Sequence, residues 1–124
     1  MHQDIKMMKE YAKEYNVPIM MEDGINFITN FIIKHKVKNV LEIGTAIGYS
    51  AILMALSSPN VKITSIERDR ERYLEAVKNV KKFKLEDRIT LIYNDASLSL
   101  ICIFKGLTDN SRTIRPSILH KLKK

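Results

Sequence analysis

The sequence has little of what stabilises small secreted domains and little of what marks fibrous or disordered chains. Among 124 residues there is one cysteine, no tryptophan, three prolines and four glycines. A single thiol, Cys102, excludes an internal disulfide and agrees with a reducing compartment. It lies in the apolar run Leu100–Phe104, so a buried inert thiol is the plainer reading and a nucleophile the other. No apolar run reaches the roughly 18 residues a membrane span needs. The opening residues Met1-His2-Gln3-Asp4-Ile5-Lys6 hold no apolar signal core, so the expectation is a cytoplasmic protein with no membrane partner. Internal repeats and low-complexity tracts are absent too. What remains is an ordinary globular composition, 45% hydrophobic and 28% charged, of a length that suits one domain with a modest core.

Charge is unevenly placed. The chain carries a formal +7, of which residues 98–124 supply +5 from Lys105, Arg112, Arg115, Lys121, Lys123 and Lys124 against Asp109, leaving +2 for the first 97 residues. A basic tail can attract RNA or another polyanion; a merely solvated tail is the simpler reading. The sequence changes character at Ser97, and the expected organisation is a domain over 1–97 followed by a basic tail over 98–124 of undefined structure.

Apolar periodicity predicts the elements. Ile5, Met8, Ala12 and Tyr15 form a helical stripe, ended by Asn16-Val17-Pro18 because proline disfavours helical geometry at the residue before it. A second helix is predicted over Met21–His35, with Ile25, Ile28 and Ile32 on one face and Gly24 near its start. Strands are predicted at Asn39–Ile43, Val61–Ile66 and Arg88–Tyr93. Helices are predicted at Tyr49–Leu56, closed by Ser57-Ser58-Pro59-Asn60, and at Arg70–Lys84, with Tyr73, Val77 and Val80 inward. Strand, helix, strand, helix, strand with short connections implies parallel pairing. Beyond Ala96, Gly106–Thr113 reads as loop and Ile114–Leu122 as a short helix.

The chemistry concentrates at Val40-Leu41-Glu42-Ile43-Gly44-Thr45-Ala46-Ile47-Gly48-Tyr49-Ser50. Gly44 lets the chain bend sharply out of the strand and a ligand approach the backbone. Gly48 opens a helix whose free N–H groups suit a carboxylate or phosphate, permits close packing there, and Ser50 adds a hydroxyl. Glu67 ends the second strand, 23 residues beyond Gly44, where a carboxylate can accept hydrogen bonds from ribose hydroxyls. Dinucleotide sites use G-x-G-x-x-G. Here the middle position is Ala46, no third glycine follows, and Glu42 would repel a pyrophosphate but attract an ammonium group. The spacing favours a cationic, amino-acid-bearing adenosine cofactor; a strand-to-helix turn without ligand is the bland alternative. Asp95, with the N–H groups of Ala96 and Ser97, is placed to meet an adenine edge or else to cap a helix.

These residues resemble a family. Val40–Ala51, Thr64-Ser65-Ile66-Glu67 and Asn94-Asp95-Ala96 are similar to the first three cofactor motifs of class I S-adenosylmethionine-dependent O-methyltransferases of the catechol and caffeoyl-CoA group. Within it they look nearest to the bacterial tRNA 5-hydroxyuridine methyltransferases, which Ala12–Met20 and Gly24 also resemble. The resemblance covers about residues 5–97. It implies an α/β architecture: the N-terminal half of a Rossmann-like methyltransferase fold, with a parallel sheet of about three strands in the order 3-2-1, flanking helices and two N-terminal helices. It implies that Glu42, Gly44 and Ser50 hold the methionine part of the cofactor, that Gly48 shapes the turn, that Glu67 binds the ribose, that Asp95 and Ala96 border the adenine, and that the loop around Met20–Glu22 closes over the site. The acceptor would be hydroxylated tRNA or a small hydroxylated molecule; a non-catalytic module binding cofactor or RNA is the alternative.

Family members continue through further strands that carry the ligands of a divalent metal, magnesium. No such ligands are found in this sequence. Asp109-Asn110 is an Asp-Asn pair but follows Asp95 by only 14 residues, too few for the strands between, so it is not taken as a metal site, and no catalytic residue is assigned. His2, His35 and His120 are scattered. The expectation is a truncated cofactor-binding half, its ending beyond residue 97 native or frameshifted, inactive alone. Without a fourth strand one edge of Asn39–Ile43 would be bare. Leu98–Phe104 lies too close to the third strand to reach it, so self-association is expected.

Overall fold

The computed structural model describes residues 2–94 and 113–114. Its elements are α1 (His2–Glu14), α2 (Glu22–Lys34), β1 (Asn39–Ile43), α3 (Tyr49–Ser57), β2 (Lys62–Glu67), α4 (Arg70–Lys82), β3 (Ile89–Tyr93) and β4 (Thr113–Ile114). The six from α2 to β3 lie within two residues of the bounds that periodicity predicts, and α1 carries most of the predicted stripe. The sheet is parallel throughout, in the order β3-β2-β1-β4. Strands 3-2-1 stand as expected. β4 is an addition: Thr113 pairs with Asn39 and Ile114 with Val40. It corrects two readings, since residues 113 and 114 were expected to end a loop and begin a helix, and the far edge of β1 was expected to be bare along its whole length. The physical reason is chain length: residues 94–112 separate β3 from β4, enough for a parallel crossover, whereas a strand starting at Leu98 would not have been.

Parallel strands covered by helices are apolar on both faces, and β1 buries Val40 and Leu41, β2 Ile63 and Ile66. Together with Ile28 and Ile32 of α2, Ile52 and Met54 of α3, and Val80 of α4 they form the core. α2 packs on α3, and α4 packs on β2 and β3. α1 and α4 are joined at the surface by Lys82 Nζ, 3.3 Å from Asp4. The inward face of α4 differs from expectation: it presents Ala76, Asn79 and Val80, while Val77 is exposed and Tyr73 half-buried, stacked on Tyr93 with ring centroids 5.4 Å apart. The α1 stripe likewise buries Met8 and Ala12 but leaves Tyr15 exposed against Tyr11.

Three of the four described helices end by one device. α1, α2 and α4 each pass into a left-handed residue, Asn16, Lys36 and Lys84 at φ 53°, 51° and 58°. The next N–H, of Val17, Val37 and Leu85, returns to the carbonyls of Ala12, Ile32 and Val80 at 2.9, 3.0 and 3.1 Å. These are Schellman closures, each with a buried apolar residue after the left-handed one. Pro18 is therefore not what stops α1; it follows a closure already made. Among the described residues no helix is long and apolar enough to cross a membrane.

Candidate functional site

β1, β2 and β3 run in register to a common C-terminal edge, with Ile43 beside Ile66 and Glu67 beside Tyr93. Crevices outside the carboxyl ends of parallel strands are where such sheets bind ligands. Here the edge carries a cavity of about 370 Å³ lined by Gly44 and Ala46 of the turn, Ile43, Ile66, Glu67, Arg68 and Arg72, and Pro18 from the α1–α2 connection. That volume lies in the range of small-molecule sites.

The turn between β1 and α3 is fixed from β2. The N–H groups of Gly44 and Thr45 donate to the carbonyl of Ile66 at 2.8 and 3.2 Å, and Gly48 N–H donates to Thr45 O at 3.0 Å. Gly44 and Gly48 stand at φ +90° and +89°, a region side chains avoid. A side chain on Gly44 would meet nothing within 4 Å, because this residue faces the open cavity. A Cβ on Gly48 would sit 3.5 Å from Ala76, an ordinary contact, so backbone conformation is what requires glycine there. Asn79 of α4 donates from Nδ2 to the buried carbonyl of Ile47 at 2.9 Å and ties the turn to that helix.

Glu67 ends β2 with its carboxylate in the cavity wall. Oε1 accepts from Ala46 N–H at 2.7 Å and Oε2 from Asp69 N–H at 3.0 Å. Each oxygen keeps a further lone pair for a ligand hydroxyl. Ala46, left-handed at φ 52°, thus directs to Glu67 an N–H of the turn that a dinucleotide site would turn toward pyrophosphate. Glu42 lies elsewhere. It is 3% exposed, is not part of the cavity wall, and accepts from Ser50 Oγ on one oxygen and from Ser65 Oγ at 2.6 Å on the other. Ser65 Oγ is also 2.6 Å from Thr45 Oγ1. Burial pushes the Glu42 carboxyl up to about 7, the two serine hydroxyls oppose that rise, and the charge of Glu67 adds to it.

Of the residues singled out in the sequence, Gly44 and Glu67 meet in the cavity. Glu42, Gly48 and Ser50 build the turn behind it, and Met20 is half-buried against the core. Asp95 and Ala96, with Ser97, Cys102, the Asp109-Asn110 pair and His120, lie outside the described residues. His35 stacks on Phe31 with ring centroids 4.2 Å apart. Arg68, Arg72 and Pro18 in the wall, and the buried hydroxyls of Thr45 and Ser65, were not anticipated. The one trace of Ser65 is a polar residue between Ile63 and Ile66, in the buried part of β2 beyond exposed Lys62; Thr45 left none.

The profile of the family described as O-methyltransferase matches residues 2–111. The flavonoid 3',5'-methyltransferase of Vitis vinifera is 31% identical over 103 residues, 77% of this chain and 43% of that protein. The caffeoyl-CoA O-methyltransferase of Stellaria longipes is 38% identical over 71 residues, 56% of this chain and 30% of that one. A Staphylococcus aureus structure assigned as a caffeoyl-CoA O-methyltransferase superposes with a TM-score of 0.71 at 35% identity, covering 74% of this chain and 44% of that one. The chain therefore spans less than half the length of these relatives. The glycine turn, the strand-end glutamate and the matched span together place the chain in the O-methyltransferase family.

Proposed function

We propose that this chain forms the S-adenosylmethionine-binding half of an O-methyltransferase that acts on a hydroxyl group. The observation that carries this reading is the Glu67 carboxylate, held by two backbone N–H groups in the wall of a cavity that Gly44 leaves open. The described residues fit that cofactor. Glu67 would receive the ribose hydroxyls. Gly44 would let the methionine part lie against the backbone, with Glu42 and Ser50 behind it, and Asp95 and Ala96 would follow at the adenine. Arg68 and Pro18 would flank the nucleoside. The cofactor, when bound, supplies an electrophilic methyl group on a sulfonium, and the task left to the protein is mostly to orient it toward an oxygen. The names of the relatives, flavonoid and caffeoyl-CoA methyltransferases, support a phenolic hydroxyl as acceptor, with hydroxylated tRNA as the second acceptor to test. Among the described residues no three His, Cys, Asp or Glu side chains converge as a metal-holding set, so no step is assigned to magnesium.

Calorimetric titration tests the reading. S-adenosylmethionine and S-adenosylhomocysteine should bind and NAD should not. Glu67→Ala should weaken both by at least about tenfold, since a hydrogen bond to a charged group contributes about 1.5–3 kcal/mol. Binding of NAD as tight as that of S-adenosylmethionine, or no effect of Glu67→Ala, would overturn it.

A further inference from the structure

We propose that Ser65 is a positioning residue, whose buried hydroxyl links Glu42 to Thr45 and so couples the ionisation of Glu42 to the shape of the cofactor turn. This deepens the cofactor reading and rests on it where ligand binding is concerned.

The geometry is a continuous chain of hydroxyls. The parallel register sets Ser65 directly opposite Glu42 on the neighbouring strand. Ser65 is 0% exposed, so it meets no ligand itself. It donates to Glu42 Oε1, which leaves its own oxygen to accept from Thr45. On the other side Ser50 donates to Oε2. The two serine hydroxyls thus donate to the carboxylate and Thr45 donates to Ser65, an arrangement suited to the anionic form of Glu42. A proton on Glu42 turns one carboxyl oxygen into a donor, and a serine that served as donor must then accept. If that serine is Ser65, its hydrogen swings to Thr45, whose carbonyl and N–H shape the turn between Gly44 and Gly48. Every polar atom is buried, so each reversal must be matched within the chain.

Among the described residues the charged surroundings are few. β1 has no other titratable side chain, and β2 carries exposed Lys62 at its start, opposite Asn39, and Glu67 at its end, whose charge disfavours ionisation of Glu42. α3 contributes Ser50 and, as its titratable group, the buried Tyr49; the turn contributes only Thr45. Burial pushes the Glu42 carboxyl up to about 7, and the two serine hydroxyls hold it below where burial alone would put it. An ammonium group of a bound cofactor would favour the anion, and would therefore bind better as pH rises through that point.

The test is a carbon-13 carboxyl titration of the ligand-free chain, with Glu42→Gln assigning the Glu42 resonance. Ser65→Ala should raise the Glu42 midpoint by about one pH unit, the loss of one charge-assisted hydrogen bond. Ser65→Thr, which keeps the hydroxyl, should restore it. Thr45→Val, which removes the donor behind Ser65, should shift it in the same direction by less. In titrations with S-adenosylmethionine, Ser65→Ala should weaken binding about fivefold at pH 7, the loss of ionised Glu42 that one unit implies, and leave it unchanged at pH 9. An unmoved midpoint, or equal weakening at pH 7 and 9, would show Ser65 to be plain packing and would overturn the proposal. Absence of S-adenosylmethionine binding to the wild-type chain together with a moved midpoint would refute the cofactor reading while the link from Ser65 to Glu42 stands.

Discussion

Glu42 is the residue at which burial and function pull against each other. An interior carboxylate with no cation beside it among the described residues is costly, and two serine hydroxyls offset only part of that cost, so its carboxyl is pushed up to about 7. Because the folded state holds this proton more tightly than the unfolded chain does, the stabilisation is complete below about pH 4.5 and is lost as pH rises through 7. Glu42 should therefore cost the ligand-free protein on the order of 3 kcal/mol across that window. Glu42→Gln keeps an acceptor and cannot ionise. Urea denaturation from pH 4.5 to 8.5 should show wild type losing stability relative to Glu42→Gln by that order, with the difference level above pH 8. A difference independent of pH would mean that Glu42 does not titrate in this window. The sequence reading placed Glu42 correctly before the turn and gave it an ammonium to face. What it could not see is that Ser50 has already donated its hydrogen to Glu42. Which hydroxyl meets which carboxylate depends on strand register, and a linear sequence does not state that for Ser65 or Thr45.

At the scale of elements, the helices and strands were legible because their apolar spacing is strong, and the errors fall where spacing is ambiguous. Val77 and Val80 lie three apart in α4, and either could have led the buried face. The sheet accepts Ala76, Asn79 and Val80 because Asn79 is needed at the Ile47 carbonyl. The helix ends carry a recurring pattern: Asn16-Val17, Lys36-Val37 and Lys84-Leu85, a left-handed polar residue before a buried apolar one. A left-handed non-glycine residue costs about 1–2 kcal/mol, partly offset in any glycine variant by its freer unfolded chain. Lys84 is exposed, so Lys84→Gly should stabilise the protein by about 0.5–1 kcal/mol. Thermal unfolding should show a melting temperature raised by several degrees; a lowered one would contradict the Schellman assignment.

For the whole molecule the decisive feature is the edge of β1. β4 covers Asn39 and Val40; among the described residues no strand lies beside Leu41–Ile43 on that side. A partly open apolar edge invites another strand, and the expectation of self-association is retained in that narrower form. Sedimentation equilibrium should give a mass above the 14.4 kDa of one chain, rising with concentration. A single species of 14.4 kDa at all concentrations would remove the prediction. The same edge bears on activity. The chain spans less than half of the relatives it matches, and the described residues supply a cavity at the strand ends and no convergent metal ligands.

The sequence by itself determined the order of the first seven elements, the parallel pairing of β1 to β3, the glycine turn and the acid at the end of β2, because apolar periodicity and backbone conformational demands are local and survive in one dimension. Tertiary structure alone decided the rest. It brought Ser65 opposite Glu42, turned the Ala46 N–H to Glu67, put Arg68 and Arg72 into one cavity lining with Gly44, and laid Thr113–Ile114 against β1. Each of these depends on which strands are neighbours and in what register, a property of long-range packing that no short window of residues contains.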